Sequence, residues 1–546
     1  MSLDAPQAPS PAPSDDTARL HELGYAQELG RKMQGFSNMA VSFSIISILA
    51  GCLTTFYLAL FAGGGPAVAY GWPLVTVMAL MVALAMGEVC SSFPTAGGLY
   101  YWSAKLAKRN APLWSWTTGW FNLIGQIAIT ASVDFALANF IGGFLVLTTD
   151  FFPTPKSILL IYGILLAIHG VLNSMGIRLI ALLNDISVWW HLIGVAVFVG
   201  FLVALPDQHA SAEFVFTDFQ NNTGWTGAGS GIYVFFIGCL LAQYTITGFD
   251  ASAHMTEETE NAAVAGPRGM ATAVWLSGIA GYVLLLAVFF AIQPDFDYLT
   301  AAGALITAPI FIIEDAIGTD GATVLVGIAC VAQFFCGNAC LTANSRMLYA
   351  FSRDGAVPGH RIWHRINPRT RTPTNSIWFC AVAAFLAGVP SLREAGGFPA
   401  TFFAIVSIGV IGLYIAYVIP VFLRLRQGDD FQRGPWHLGR WSKLVGWIAV
   451  IWVGFISIYF LLPQFSPITW ASANYAPVAL AVLLIFVYGY WFLSARKWFT
   501  GPKVQGSPEE LRAIEAELEA VAAGKAPTAE FRAMEDELDQ RATRRE

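Results

Sequence analysis

Charged residues are scarce in this chain, at 12%, against about 25% in soluble domains. With 56% hydrophobic residues over 546 positions, that scarcity excludes a soluble globular protein and implies one that crosses a membrane many times. The net charge is −6, and no basic face is available for a nucleic acid. A secretory leader is also missing. Met1 to His21 is rich in Pro, Ala, Ser and Asp and lacks a basic stretch followed by an apolar core, so a short disordered tail is expected there. The seven cysteines, Cys52, Cys90, Cys239, Cys330, Cys336, Cys340 and Cys380, all fall in or beside apolar segments. That placement suits small packing residues rather than disulfides. Cys336 and Cys340 share a helix face, but two thiols without further ligands do not make a metal site, and no metal or cofactor is expected. No phosphate-binding loop of the Gly-x4-Gly-Lys type occurs, and no nucleophile–base pairing stands out, which disfavours an enzyme.

What the chain has instead is apolar runs of membrane length. Twelve spans are predicted: Ser37–Ala62, Val68–Cys90, Trp114–Leu147, Ser157–Leu172, Leu179–Leu205, Gly231–Met255, Met270–Ile292, Ala322–Phe351, Ser376–Val389, Ala400–Leu423, Leu444–Leu462 and Tyr475–Leu493. Gly303 to Ile317 reads as a helix within a loop. The organisation follows: a tail over 1–36, five spans over 37–205, five over 230–423, two over 442–498, and a second tail over 499–546. With both termini in the cytoplasm, only two of the 30 Lys and Arg residues, Lys156 and Arg393, fall on the outer side. That asymmetry sets the expected orientation in a plasma or inner membrane. Near the end, Ser507-Pro-Glu-Glu510 reads as a helix start. Leu511, Ile514, Leu518 and Val521 then form an apolar stripe, which is expected either to stay solvated or to dock on a partner or the protein's own inner face.

The sixth span holds the most informative stretch. An apolar run reaches Gly248-Phe249-Asp250 and turns polar with no turn signal between. A glycine, an aromatic and a carboxylate at membrane depth predict a helix that unwinds midway. Such a break survives only where it lines a cavity or is buried in protein, and transporters use it to hold substrate near the midplane. Small and hydroxyl residues collect around Gly51 in the first span, at the matching place in the other half. A second break is therefore expected near Gly51.

These residues bring a family into view. Gly64-Gly-Pro66 with Tyr70-Gly-Trp72, Gly87-Glu88, Phe93-Pro-Thr-Ala-Gly-Gly-Leu-Tyr100, Gly248-Phe249-Asp250 with Glu257-Glu258-Thr259, and Ser352-Arg353-Asp354-Gly355 resemble the amino acid–polyamine–organocation permeases. Within these, the chain looks most like the amino acid/choline transporter branch. The resemblance implies an all-helical five-plus-five inverted repeat with two extra helices, and substrate held at breaks in helices one and six. Leu49, Ala50, Gly51, Cys52 and Leu53 match the first break. Leu53 departs from the Gly-x-Gly often found there, and so from the usual α-carboxylate pocket. Tyr244, Thr247, Gly248 and Phe249 match the second break, where an aromatic gates the site, and Asp250 matches an acidic position beyond it. Asn122 and Gln126, one helical turn apart in span three, match positions that read the distal end of a substrate. Amides at this spacing also serve as bonds between helices. Asp134 in the same span is expected to receive a substrate amine, to carry a coupling proton, or to sit in an outer vestibule.

His191 in span five falls near a lysine whose ammonium replaces sodium in proton-coupled relatives. Histidine titrates near neutrality, so His191 is expected to carry the coupling proton, with sodium as the less favoured ion. The bland reading is a neutral ring bonded to a neighbouring helix. Gln333, Asn338, Thr342 and Asn344 are further lining candidates from span eight. The expected activity is import of a small amino acid, γ-aminobutyrate, choline or a polyamine by proton symport. The alternatives are an exchanger or a ligand-binding membrane sensor.

Overall fold

The structure, a computed structural model, describes residues 15–293, 297, 305–393, 400–469 and 472–522. Residues 1–14 and 523–546 of the two tails, and much of the loop read from Pro294, lie outside them. Among the described residues every regular element is helical. Eleven helices are long and apolar enough to cross a membrane, and a shorter apolar helix, Ser230–Thr245, completes twelve.

The spans are as follows. α1 comprises Gly35–Ile46, Ile48–Thr54 and Tyr57–Phe61. α2 is Trp72–Ser92, α3 Ala111–Thr148, α4 Pro155–Ser174 and α5 Ile177–Ala204. α6 comprises Ser230–Gly238, Leu240–Thr245 and Ala251–His254. α7 is Ala262–Phe290, and α8 is Ala308–Arg353, interrupted at Gly318 with φ 75°. α9 is Thr374–Gly388, α10 Ala400–Gln427, α11 Ser442–Leu461 and α12 Ala476–Leu493. α13 is Pro508–Ala522. The part of α8 before Gly318 is the predicted loop helix.

Local chemistry explains several boundaries. α4 opens on a reciprocal cap, with the Ser157 amide donating to Thr154 Oγ1 at 3.1 Å and the Thr154 amide to Ser157 Oγ at 2.9 Å, ahead of Pro155 at the first helical position. α6 before its break is sixteen residues, roughly 24 Å at 1.5 Å per residue, and too short to cross alone. The two interrupted helices stand at the centre. α1 is buried along its whole apolar stretch, whereas α12 shows most of its surface outward. Burial is what permits the interruptions, because hydrocarbon offers no partner to a freed backbone group. α3 packs on both α8 and α10, and α1 on α5, α7 and α8.

The tail before α1 departs from the expected disordered segment. Asp15–Leu23 is helical, and Leu20, Leu23, Tyr25, Leu29 and Met33 are buried. Apolar side chains at this spacing draw the segment onto the bundle. The stripe of α13 docks on it: Leu511, Ile514 and Leu518 pack around Ala26. Glu515 accepts from the Gln27 amide at 2.6 Å and pairs with His21 at 2.7 Å.

Candidate functional site

Both predicted interruptions are present, and one lies a turn away from its expected place. In α6 the chain leaves the helix at Ile246, and Gly248 adopts φ 88°. A Cβ on Gly248 would stand 2.2 Å from Ile45 Cγ2, so this position needs glycine for conformation and for space. The opened backbone is held by α10: Tyr414 donates its hydroxyl to the Ile246 carbonyl at 2.6 Å, and the Gly248 amide donates to Tyr417 Oη at 3.2 Å.

In α1 the interruption falls at Ser47, with φ 37° and ψ 79°, and not at Gly51. The Gly51 amide keeps an ordinary bond to the Ser47 carbonyl at 2.8 Å. Gly51 serves close approach instead. A Cβ there would meet Thr245 Cγ2 at 2.7 Å and Thr245 Cα at 3.0 Å, so the glycine lets α1 and α6 touch.

Between the two interruptions lies a cavity of about 20 Å³, room for one or two waters and too small for an amino acid. Ala50 and Gly51 of α1 line the cavity, with Tyr244, Thr245 and Thr247 of α6 and Gln333 of α8. The Thr245 and Thr247 hydroxyls are turned back to the Leu241 and Gln243 carbonyls, and Tyr244 Oη lies 3.2 Å from Ser132 Oγ. Gln333 differs from these. It is fully buried, and neither its amide nitrogen nor its oxygen has a hydrogen-bond partner. Leaving both ends of a buried amide without a protein partner costs about 1–3 kcal/mol of desolvation per group.

The other predicted residues are placed differently. Leu49, Cys52 and Leu53 are buried but do not line the cavity, and Leu49 points to Gly194 of α5. Phe249 packs away from the cavity on Tyr417, with ring centres 4.9 Å apart. Asp250 is enclosed by donors: Tyr417 Oη at 2.6 Å, Asn122 Nδ2 and Gln126 Nε2 each at 3.0 Å, with His254 Nε2 at 3.3 Å. The Asn122 and Gln126 amide nitrogens are therefore spent on a carboxylate that ties α3 to the opened part of α6. Asp134 lies in no vestibule. It is fully buried, 3.1 Å from His169 Nδ1 of α4.

His191 stands beside the α1 interruption. Its Nδ1 lies 2.7 Å from the Ser187 carbonyl and its Nε2 2.7 Å from Ser47 Oγ. A carbonyl only accepts, so Nδ1 carries the hydrogen and Nε2 of the neutral ring accepts from Ser47. His191 thus holds the residue at which α1 bends. Of the further α8 candidates, Asn338 and Thr342 bond to Asn173 of α4 at 2.9 and 2.6 Å.

On the side that carries the termini, the remaining motifs close the bundle. Arg353 pairs with Glu257 at 2.9 Å and Arg346 with Glu258 at 2.8 Å, while the Lys32 and Met33 amides donate to the Glu258 carbonyl. Asp354, just past α8, accepts from Tyr100 at 2.7 Å, Tyr25 at 3.0 Å and the Lys503 amide at 3.1 Å. Burial pushes the Asp354 carboxyl above its ordinary value, against the pull of Arg353 and these donors. The Tyr25 hydroxyl is pushed well up by burial and by Asp354.

A family model described as amino acid permease matches residues 36–487. The chain belongs to the amino acid permeases. It is 44% identical to the amino-acid permease BAT1 of Arabidopsis thaliana over 516 residues, 92% of this chain and 99% of that one. The homolog from Oryza sativa is 42% identical over 89% of this chain and 95% of its own length. An uncharacterized amino-acid permease of Schizosaccharomyces pombe is 32% identical over 90% of each. The permease is thus a multi-pass membrane transporter and not an enzyme.

Four residues placed by the fold are not singled out by their sequence context. Tyr414 and Tyr417 read as ordinary tyrosines of an apolar span, and their spacing of three was the available signal. Ser47 is one of several hydroxyl residues in α1. His169 stands alone among apolar residues of α4, and its partner is on another helix.

Proposed function

We propose that this permease is a secondary active transporter that imports a small amino acid or a related amine by proton symport with alternating access. The observation that carries the reading is the fully buried, unpartnered Gln333 amide facing a cavity between the two interruptions. Buried polar groups find partners, so an empty pair of donor and acceptor beside opened backbone favours a ligand carrying both. Relatives named amino-acid permeases favour an amino acid over choline or a polyamine. The closed cavity requires α1, α6 or α8 to move before substrate enters. The pairs Arg353–Glu257 and Arg346–Glu258, with the tail before α1, would then form the cytoplasmic gate. The membrane is a plasma or inner membrane with both termini in the cytoplasm, as the placement of Lys and Arg supports.

The test is uptake into proteoliposomes under an imposed pH gradient, with and without sodium. The panel is radiolabelled L-alanine, L-glutamate, γ-aminobutyrate, choline and putrescine. Accumulation of an amino acid that follows the pH gradient is expected. Counterflow without accumulation would instead make the protein an exchanger, and binding without any flux would make it a sensor.

A further inference from the structure

Among the buried ionisable groups outside the substrate cavity, one pair has no structural reason to be charged. Asp134 of α3 and His169 of α4 are both fully buried, with Nδ1 of the ring 3.1 Å from Oδ1 of the carboxylate. Neither carboxylate oxygen and neither ring nitrogen has a well-directed hydrogen bond. The Phe334 ring lies 4.6 Å from the imidazole. Helix α8 closes over the pair at Gly337, where a Cβ would stand 2.2 Å from Asp134 Oδ1 and 2.8 Å from His169 Cε1.

The surroundings offer little to stabilise a net charge. From α4, Tyr162 approaches, but it donates its hydroxyl to the Ala384 carbonyl of α9 at 2.5 Å. From α8 come the Cys336 and Cys340 thiols; Cys336 donates to the Ile45 carbonyl. The neighbouring carboxylate, Asp250 of α6, is held by its own donors. Contacts from α9 and α10 in this region are aromatic: Phe385 stacks on Tyr162 and Phe402 on Phe135.

We propose that the Asp134–His169 pair is the proton-binding site of this transporter, linked to the substrate cavity through α8. This rests on the symport reading. With Asp134 ionised and His169 neutral the pair carries one net negative charge in a dry interior, which is costly. One proton from water on the outer side forms a new N–H or O–H bond within the pair and brings its charge to zero. The loaded pair tolerates the closed bundle; the unloaded pair requires water. The proton therefore leaves only when α8 moves Gly337 off the pair, and it passes to water on the side then open.

The link to substrate is short. Val133, next to Asp134, and Ala136 line the cavity from α3, as do Gln333 and Cys336 from α8, one turn and one residue before Gly337. A substrate drawn to Gln333 shifts the same stretch of α8 that covers the pair. By linkage, proton and substrate then raise each other's affinity by one common factor.

The experiment uses the full-length protein in proteoliposomes with radiolabelled L-alanine and γ-aminobutyrate, comparing wild type, Asp134→Asn and His169→Gln. Wild type is expected to accumulate label by up to about tenfold per pH unit imposed, the limit for one proton. Asp134→Asn is expected to lose accumulation and keep counterflow with a flat pH profile. His169→Gln is expected to accumulate less, with its pH profile displaced, and it keeps the test alive if Asp134→Asn does not fold. Wild-type accumulation and an unchanged pH profile in Asp134→Asn would overturn the proposal. So would loss of counterflow together with accumulation in variants that melt like wild type, since the pair would then serve the gate or the substrate. Sodium-driven or exchange-only behaviour of the wild type would remove the symport reading itself; proton-driven wild type with equally driven variants would remove only the pair.

Discussion

Two aspartates in this permease lie beside a histidine in the buried core, and their surroundings are opposite. Asp250 receives hydrogen bonds from Tyr417, Asn122 and Gln126, with His254 alongside. Asp134 has His169 and no directed donor. Donors aimed at a carboxylate favour its charged form, and those around Asp250 tie it into the α6 interruption. The same residue type at Asp134 has no such donors, so its charge is costly there and a bound proton, which removes the charge, would lower that cost. The environment decides which of the two is structural and which can change state.

The largest expected effect in this comparison is that of Asp250→Ala. It leaves the amides of Asn122 and Gln126 and the Tyr417 hydroxyl without an acceptor in a dry core. A stability loss of about 3–5 kcal/mol is expected, in the range for breaking a buried charge network. Detergent-solubilised protein would show it in thermal melting; a variant that melts like wild type would erase the distinction between the two aspartates. Next comes Gly248→Ala. Its methyl group would meet Ile45 at 2.2 Å, and the left-handed backbone costs roughly 1–2 kcal/mol more for any other residue. Protein that reaches the membrane with uptake lost is expected, and wild-type uptake would remove the interruption from the account.

How far these features were legible in the sequence differs between the two halves. The spans were, because hydropathy over twenty residues is set by the membrane alone. The α6 interruption was also legible, since Gly248 and Asp250 together have no other place at that depth. The α1 interruption was legible only to within about a turn, because Gly51 signals two different needs, backbone freedom and close packing, and here it meets the second. Asn122 and Gln126 were recognisable as a polar face, but their partner, Asp250, is more than a hundred positions away and the choice between substrate and helix was open. Asp134 stood out as an unpaired carboxylate; only the fold brings His169 to it. The tail before α1 was read as disordered from its first residues, although Leu20, Leu23, Tyr25 and Leu29 already carried an apolar pattern.

Tyr417→Phe sharpens the contrast from the satisfied side. It removes one donor from Asp250 and the acceptor for the Gly248 amide, a loss of about 1–3 kcal/mol. Uptake is expected to fall by about tenfold while the protein still folds; unchanged uptake would mean that α10 does not support the opened helix. Gln333→Leu probes the cavity itself. Removing an unpartnered buried amide is expected to leave stability within about 1 kcal/mol or raise it. The ranking of the radiolabelled panel should change, because a site built around a hydrogen-bonding group discriminates by what it leaves unpaired. An unaltered ranking would take Gln333 out of the site. Asp134→Asn should be the mildest for stability, also within about 1 kcal/mol, since it replaces an unsatisfied buried charge with a neutral group of the same shape.

The most direct measurement counts protons as substrate binds. Purified protein in lightly buffered detergent solution, with a pH indicator dye, is mixed with L-alanine or γ-aminobutyrate. If proton and substrate favour each other, substrate binding draws protons from solution, up to about one per substrate. Wild type is expected to show this uptake, and Asp134→Asn to bind substrate with none. The same proton uptake in Asp134→Asn as in wild type would contradict the account.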